Sequence, residues 1–233
     1  MLNVVQFSGG KDSTAMLLMM LEKGIPVDKI IFCDTGKEFP GLYDHIEKVK
    51  KYINREITVL RAEKTYDYYM FEHVKTKGKN KGCCGYGWGN MLCRWCTSNL
   101  KQSPTKKYLK ALGEYRSYIG IAFDEPKRHV NIPPNVIHPL FDWGITEKQA
   151  LEYCYSHGFD WGGLYEHFDR VSCWCCPLKN NKELLALYRY YPQLWIKLKE
   201  MDARSYNSFK GKGVQYYEDK FKKLDSQNGR GSG

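Results

Sequence analysis

Apolar positions along the chain follow two rhythms. Apolar-rich runs at 2–7 ("LNVVQF"), 29–36 ("KIIFCDTG") and 56–62 ("EITVLRA") read as strands, the first two buried on both faces. Residues 13–23 are apolar nearly all round and stop at Gly24 and Pro26, the pattern of a helix covered on every side. Leu42, Ile46, Val49 and Ile53 repeat at helical spacing within 41–53. Strand-helix-strand-helix-strand with short connections predicts an α/β fold with a doubly wound parallel sheet.

Both rhythms fail over 64–104, where aromatics, lysines, glycines and four cysteines alternate, so this stretch is expected to be an insertion or lid. Beyond it the pattern predicts a helix at 103–113, strands at 117–122 and 135–140, and a helix at 146–158 between Thr146 and Gly158. A further helix over 181–204 should bend at Pro192. Residues 1–204 are thus expected to form one domain with a helical C-terminal part, and 205–233 a polar tail. No apolar run is long enough to span a membrane and no leader pattern opens the chain, so a cytoplasmic protein is expected.

The first strand–helix junction reads Ser8-Gly9-Gly10-Lys11-Asp12-Ser13. Helix N-termini present unpaired N–H groups and partial positive charge. Two glycines let the backbone close on an anion, Lys11 adds a full charge, and Ser8 and Ser13 bring hydroxyls. This is chemistry for phosphate, but the G-x-x-x-x-G-K-[ST] spacing of a Walker A loop is absent.

The string resembles the PP-loop of the ATP pyrophosphatase superfamily. "FCDTGKEFP" (32–40), "LCRWCTSNLKQSP" (92–104), "GIAFDEPKRH" (120–129) and "SCWCCPLKN" (172–180) resemble segments of its PAPS reductase-like (phosphoadenosine phosphosulfate reductase) branch. In the third of these, Glu125 and Arg128 match, while Ala122 and Pro126 replace the usual arginine and serine. The resemblance implies an adenine nucleotide alpha-hydrolase-like fold. It also implies an enzyme that takes ATP with Mg²⁺ to AMP and pyrophosphate, adenylating an acceptor oxygen that a sulfur donor then attacks. Ser8, Gly9, Gly10, Lys11, Asp12 and Ser13 would cradle the pyrophosphate, with Asp34, Glu125 and Arg128 on the nucleotide. Lys11, Asp12 and Asp34 would be catalytic, Asp12 as a Mg²⁺ ligand or as a partner of the helix dipole. A cysteine desulfurase is the kind of partner that would supply sulfur.

The cysteines suggest a second centre. Cys93 and Cys96 form one C-x-x-C turn, and Cys173 and Cys176 another. In a reducing compartment, two such turns suit a shared tetrahedral Zn²⁺ or a [4Fe-4S] cluster, and flanking Trp95 and Trp174 favour iron–sulfur. Cys83, Cys84 and Cys175 are left over as alternative ligands, persulfide carriers or plain thiols.

The net charge of +10 points to a polyanionic partner. Lys75, Lys77 and Lys79 are the candidate contacts for a nucleic-acid acceptor, as in tRNA thiolation or DNA phosphorothioation. Two other readings exist. A sulfonucleotide (PAPS or APS) reductase would need a non-standard cysteine, because no cysteine follows Cys176. A metal-stabilised nucleic-acid-binding module without catalysis would have no use for the loop.

Overall fold

The computed structural model describes residues 1–78 and 81–228. Five strands, β1 (Leu2–Gln6), β2 (Lys29–Asp34), β3 (Thr58–Arg61), β4 (Tyr115–Ile119) and β5 (Val136–Ile137), form one parallel sheet in the order β3-β2-β1-β4-β5. Helix α1 (Lys11–Glu22) follows β1 and buries Ala15, Met16, Leu17, Leu18 and Met20. Helix α2 (Pro40–Ile53) follows β2 and turns Leu42, Ile46 and Val49 inward. The α/β doubly wound sheet is therefore as the apolar pattern predicts. In such sheets ligands bind outside the strand C-termini where the strand order reverses. Here that point lies between β1 and β4, so the loops leaving these two strands face each other.

Three stretches depart from expectation. The strand foreseen at 135–140 stops at Ile137, because Pro139 lacks a ladder N–H and instead opens the short helix α4 (Pro139–Asp142). The helix foreseen at 181–204 is two helices, α7 (Asn181–Tyr190) and α8 (Pro192–Arg204). The residue before a proline is pushed out of helical geometry, and Tyr191 sits at φ −131° and ψ 58°. The 64–104 stretch is no detached lid. It winds through two π-helical turns, Tyr68–Glu72 and Thr97–Gln102, and sends Tyr66, Met70, Trp88, Trp95 and Leu100 into the main core.

The largest correction concerns the polar tail from Ser205. Phe209, Val214, Tyr217 and Phe221 are buried, the last three spaced along one face of a helix, α9 (Val214–Asn228). Asp202 at the end of α8 holds the turn into it, accepting from the N–H groups of Phe209 (2.7 Å) and Val214 (2.6 Å) and from Trp88 Nε1 (2.9 Å). The last five residues of the expected tail lie outside the described residues. No helix among the described residues is long and apolar enough to cross a membrane.

Candidate functional site

The loop between β1 and α1 is built by close backbone approach. Gly9 has φ +77°, and a Cβ there would stand 2.9 Å from Leu42 Cδ1. Gly120, just past β4, is packed against the start of α1, where a Cβ would lie 2.9 Å from the Ser13 nitrogen. Within the loop, Ser8 Oγ and Ser13 Oγ are 3.0 Å apart and Ser13 Oγ donates to the Gly10 carbonyl. Helix α1 starts at Lys11, earlier than the apolar pattern indicates, and has no side-chain cap. Its first-turn N–H groups at Asp12 and Ser13 meet no acceptor among the described residues.

A distant segment holds the loop from outside. Asp160 leads into Trp161, Gly162 and Gly163, all at left-handed φ (53°, 61° and 79°), and then α6 (Leu164–His167). Trp161 Nε1 donates to the Gly9 carbonyl at 2.7 Å. The Lys11 N–H donates to the Tyr165 hydroxyl at 2.8 Å. Burial pushes the Tyr165 phenol well above its ordinary pKa, so it stays protonated. Tyr165→Phe should therefore destabilise the ligand-free protein by about 1 kcal/mol, since a buried N–H loses its acceptor. A phosphate oxygen can satisfy that N–H instead. Saturating pyrophosphate should thus raise the melting temperature of the variant more than that of the parent; equal shifts would contradict this placement.

Charge converges beside the loop. Lys11 Nζ lies 3.4 Å from Asp12 Oδ2 and 3.3 Å from Glu147 Oε1. Glu147 is the first residue of α5 (Glu147–Ser156), whose Thr146 cap forms a reciprocal box with Gln149. Glu125 takes Arg128 on one oxygen (2.7 Å) and Arg170 on the other. Asp12, Glu125 and Glu147 each offer an oxygen, all within 4.8 Å of one another, and Asp12 Oδ1 is buried without a partner. Burial is the main cause that raises the Asp12 pKa to about 6; Lys11 opposes it, and Glu147 and Glu125 add to it.

This shift has a consequence for stability. Between the unfolded value of 3.8 and about 6 the folded state binds the extra proton, so stability falls as pH rises through that window. In chelator and without nucleotide, Asp12→Asn should flatten that slope and be more stable than the parent at neutral pH, by on the order of 2 kcal/mol. Denaturant melts at a series of pH values measure it, and an unchanged slope would remove Asp12 as its source.

A cavity of about 380 Å³ opens at the C-terminal edge beneath the loop. Gln6, Phe7, Ser8 and Ser13 form one wall, Cys33, Lys101, Thr105 and Lys106 another, and Gly120 and Arg128 the rim. Its size is that of a small-molecule site, with apolar Phe7, Ile31, Phe32 and Leu109 and basic Lys101, Lys106 and Arg128 among its lining. Asp34 is not part of this wall. Ile31, Phe32 and Cys33 of β2 line the cavity, while Asp34 at the strand's end is drawn to other partners. Asp34 accepts from the Tyr43 hydroxyl (2.7 Å), the Gly36 N–H (2.8 Å) and Arg61 Nε (3.0 Å). Burial alone would raise its pKa, but these partners hold it below the ordinary value. Asp34 thus braces the β2–α2 turn and is not brought together with Lys11 and Asp12.

The two C-x-x-C turns meet only in part. Cys96, Cys173 and Cys176 are half-buried and act on one another electrostatically, and buried Cys175 joins them. Cys93 is exposed, on a turn closed by the Asn90 side chain. Among the described residues no three thiols lie within 4.8 Å of one another. Cys173 Sγ is 3.5 Å from Glu38 Oε1 and 3.4 Å from Thr35 Oγ1, and burial pushes its pKa up to about 12. Lys101 Nζ lies 3.7 Å from the same Glu38 oxygen. Trp95 and Trp174 are buried beside the thiols. Lys75 donates to the Tyr206 hydroxyl (3.2 Å), Lys77 is exposed, and Lys79 lies outside the described residues.

Comparison with known proteins assigns the lineage. The family model of the phosphoadenosine phosphosulfate reductase domain matches residues 2–179, from β1 through the second cysteine group. The chain belongs to that family. Among curated members similar to it, an uncharacterized Methanocaldococcus jannaschii protein, MJ0973, is 29% identical over 202 residues, 82% of this chain and 45% of the relative. A second from that organism, MJ0066, is 28% identical over 83% of this chain and 40% of its own length. The nin region protein ORF290 of Escherichia phage lambda is 32% identical over 55% of this chain and 50% of its own. The chain thus spans about half the length of the curated relatives it matches. Among solved structures, phosphoadenylyl-sulfate (PAPS) reductase from Candida auris, a phosphate complex, aligns with TM-score 0.47 and 19% identity over 71% of this chain and 78% of that one.

Within this phosphoadenosine phosphosulfate reductase domain, sequence reading missed Trp161, Tyr165, Glu147 and Arg170. The available signals were slight. "WGGLY" sets two aromatics around a glycine pair, and Arg170 immediately precedes "VSCWCC".

Proposed function

We propose that the chain is an ATP pyrophosphatase that adenylates an acceptor for sulfur transfer. The observation that carries this reading is the Ser8–Ser13 loop at the reversal point of the sheet. The first-turn N–H groups of Asp12 and Ser13 meet no acceptor among the described residues, Lys11 stands in the same turn, and Ser8 and Ser13 also line the nucleoside-sized cavity. The acceptor oxygen attacks the α-phosphorus, the bond to the bridging oxygen breaks, and pyrophosphate leaves onto the loop, where Lys11 stabilises its charge. A sulfur nucleophile then displaces AMP. Arg128, which lines the cavity, would contact phosphate in this reading.

Mg²⁺, when bound, neutralises phosphate charge. Asp12, Glu125 and Glu147 fit it as a hard oxygen set with one orphaned buried oxygen. A tetrahedral zinc would draw four sulfurs to about 3.8 Å of one another, closer than these thiols stand. An iron–sulfur cluster, the slightly favoured alternative to zinc in this reading, would be held by Cys96, Cys173 and Cys176 with Cys93 or Cys175 and would supply redox or sulfur chemistry. The partners in this reading are a nucleic-acid acceptor and a sulfur-donor protein such as a cysteine desulfurase.

The test is incubation with ATP and Mg²⁺, with and without RNA or DNA, followed by separation of AMP and pyrophosphate. The expected result is AMP release stimulated by one nucleic acid. Turnover of PAPS or APS with a thiol reductant, and none of ATP, would make the chain a reductase instead. Cys33 is the thiol that lines the cavity, but burial raises its pKa and leaves it a poor nucleophile.

A further inference from the structure

Residues 64–104 carry seven Lys or Arg against two Asp or Glu, half of the chain's surplus of +10. The same stretch packs half-buried rings on one another. Buried Trp95 is the inner end of a ladder, with Tyr86 stacked 5.8 Å away and His73 stacked 4.8 Å from Tyr86. Tyr69 stacks on Tyr86 at 6.4 Å, and Tyr68 meets Tyr69 edge-on at 5.6 Å. Tyr206, 62% exposed, joins this face by donating its hydroxyl to the Tyr86 carbonyl. Cations border the rings. Lys64 Nζ lies 5.2 Å from the Tyr68 ring, Lys75 Nζ 4.2 Å from Tyr206, and the Arg204 guanidinium 4.1 Å from Phe71. Of the two acids in the stretch, Asp67 is already paired with Lys37.

We propose that this aromatic face is a stacking platform for single-stranded nucleic acid, a reading that rests on the acceptor role given above and narrows its class. Half-buried rings with cations resting over them match the two needs of an unpaired strand, stacking for bases and charge for phosphates, an incoming base taking the place over the ring that a cation now holds. Duplex bases are stacked inward and cannot reach such rings. The face also leads to the proposed chemistry. Tyr66, behind it, touches Trp95 at 4.9 Å, and Lys37 Nζ lies 5.5 Å from Tyr66 and 5.7 Å from Trp174, beside the second cysteine group.

The test uses the full chain without ATP and fluorescein-labelled strands of about 12 nucleotides, single-stranded or as the matching duplex, read by anisotropy. Single strands should bind at least about tenfold tighter than the duplex, and weaken steeply between about 50 and about 200 mM salt. Tyr68→Ala with Tyr206→Ala should lose about tenfold or more in affinity, while the two Phe variants stay within about twofold. In the unsubstituted protein, photocrosslinks from a 5-iodouracil strand should fall on Tyr68, His73, Tyr86 or Tyr206, a readout that needs no variant to fold. Equal affinity for duplex, crosslinks confined elsewhere, or displacement by an acidic peptide as readily as by a strand would each overturn the proposal. Strand binding without AMP release would remove the adenylation reading alone, and AMP release without strand binding would remove the platform alone.

Discussion

Trp161→Ala should cost about 4 kcal/mol of folding free energy, a large share of what a domain of this size possesses. The side chain is fully buried, stacked on His45 at 4.2 Å and edge-on to Tyr165 at 4.8 Å. His45 is itself kept neutral, because burial pulls its pKa down to about 3, so it offers the indole an uncharged flat partner. Removing the ring leaves a void between α2 and the loop and strips the Gly9 carbonyl of its donor. Trp161→Phe separates the two effects. It retains most of the buried area but not the hydrogen bond, and should cost only about 1–2 kcal/mol. If the Nε1 bond shapes the loop, the Phe variant should still bind pyrophosphate less tightly than the parent. Calorimetric titration with pyrophosphate reads that difference, and parental affinity in the Phe variant would show that the indole serves packing alone.

Lys11→Ala should lower AMP release by about 100-fold or more, the scale of losing a preorganised charge at a leaving group. The same change leaves Asp12 and Glu147 without their shared ammonium, which threatens the fold as well as the rate. Lys11→Ala combined with Glu147→Gln, compared with Glu147→Gln alone because Glu147 belongs to the proposed Mg²⁺ set, distinguishes the two. Removing one carboxylate should restore much of the lost stability without restoring turnover. Recovery of both would mean that Lys11 acts only by balancing the carboxylates. Pyrophosphate release by Lys11→Ala at the parental rate would end the assignment of this loop to the chemistry.

The sheet was legible because buried parallel strands announce themselves as apolar-rich runs, the helix after β1 as a segment apolar on every side, and the helix after β2 as clean periodicity. Legibility fails where packing is decided from far away. Cys33 lines the cavity against Lys101 and Thr105 while Asp34 is drawn to Tyr43 and Arg61, partners that the sequence around β2 does not name. The 64–104 stretch hides its core positions because aromatic, glycine and lysine residues share them irregularly; Trp88 and Trp95 are buried by partners at Asp202 and Gly87 that no local spacing foretells. The segment after Ser205 is polar on average, and only the interval between Val214, Tyr217 and Phe221 shows its buried side. At the site, the Ser8–Ser13 string marks its own place, but Glu147 from the start of α5 and Arg170 from a loop reach Lys11 and Glu125 across sequence distances that pattern reading does not bridge.

The bonds from Trp161 and Tyr165 to the loop span 152 and 154 residues. On a ribosome, therefore, all five strands are synthesised before either aromatic exists. The sheet can assemble around a glycine-rich turn whose carbonyl and amide are still open to water, and that turn takes its final shape only when the later segment docks. The residues that follow this segment at once are Arg170 and the second cysteine group. A nascent chain thus completes the Ser8–Ser13 loop and gains its second cysteine group at almost the same moment, and a half-made copy holds neither.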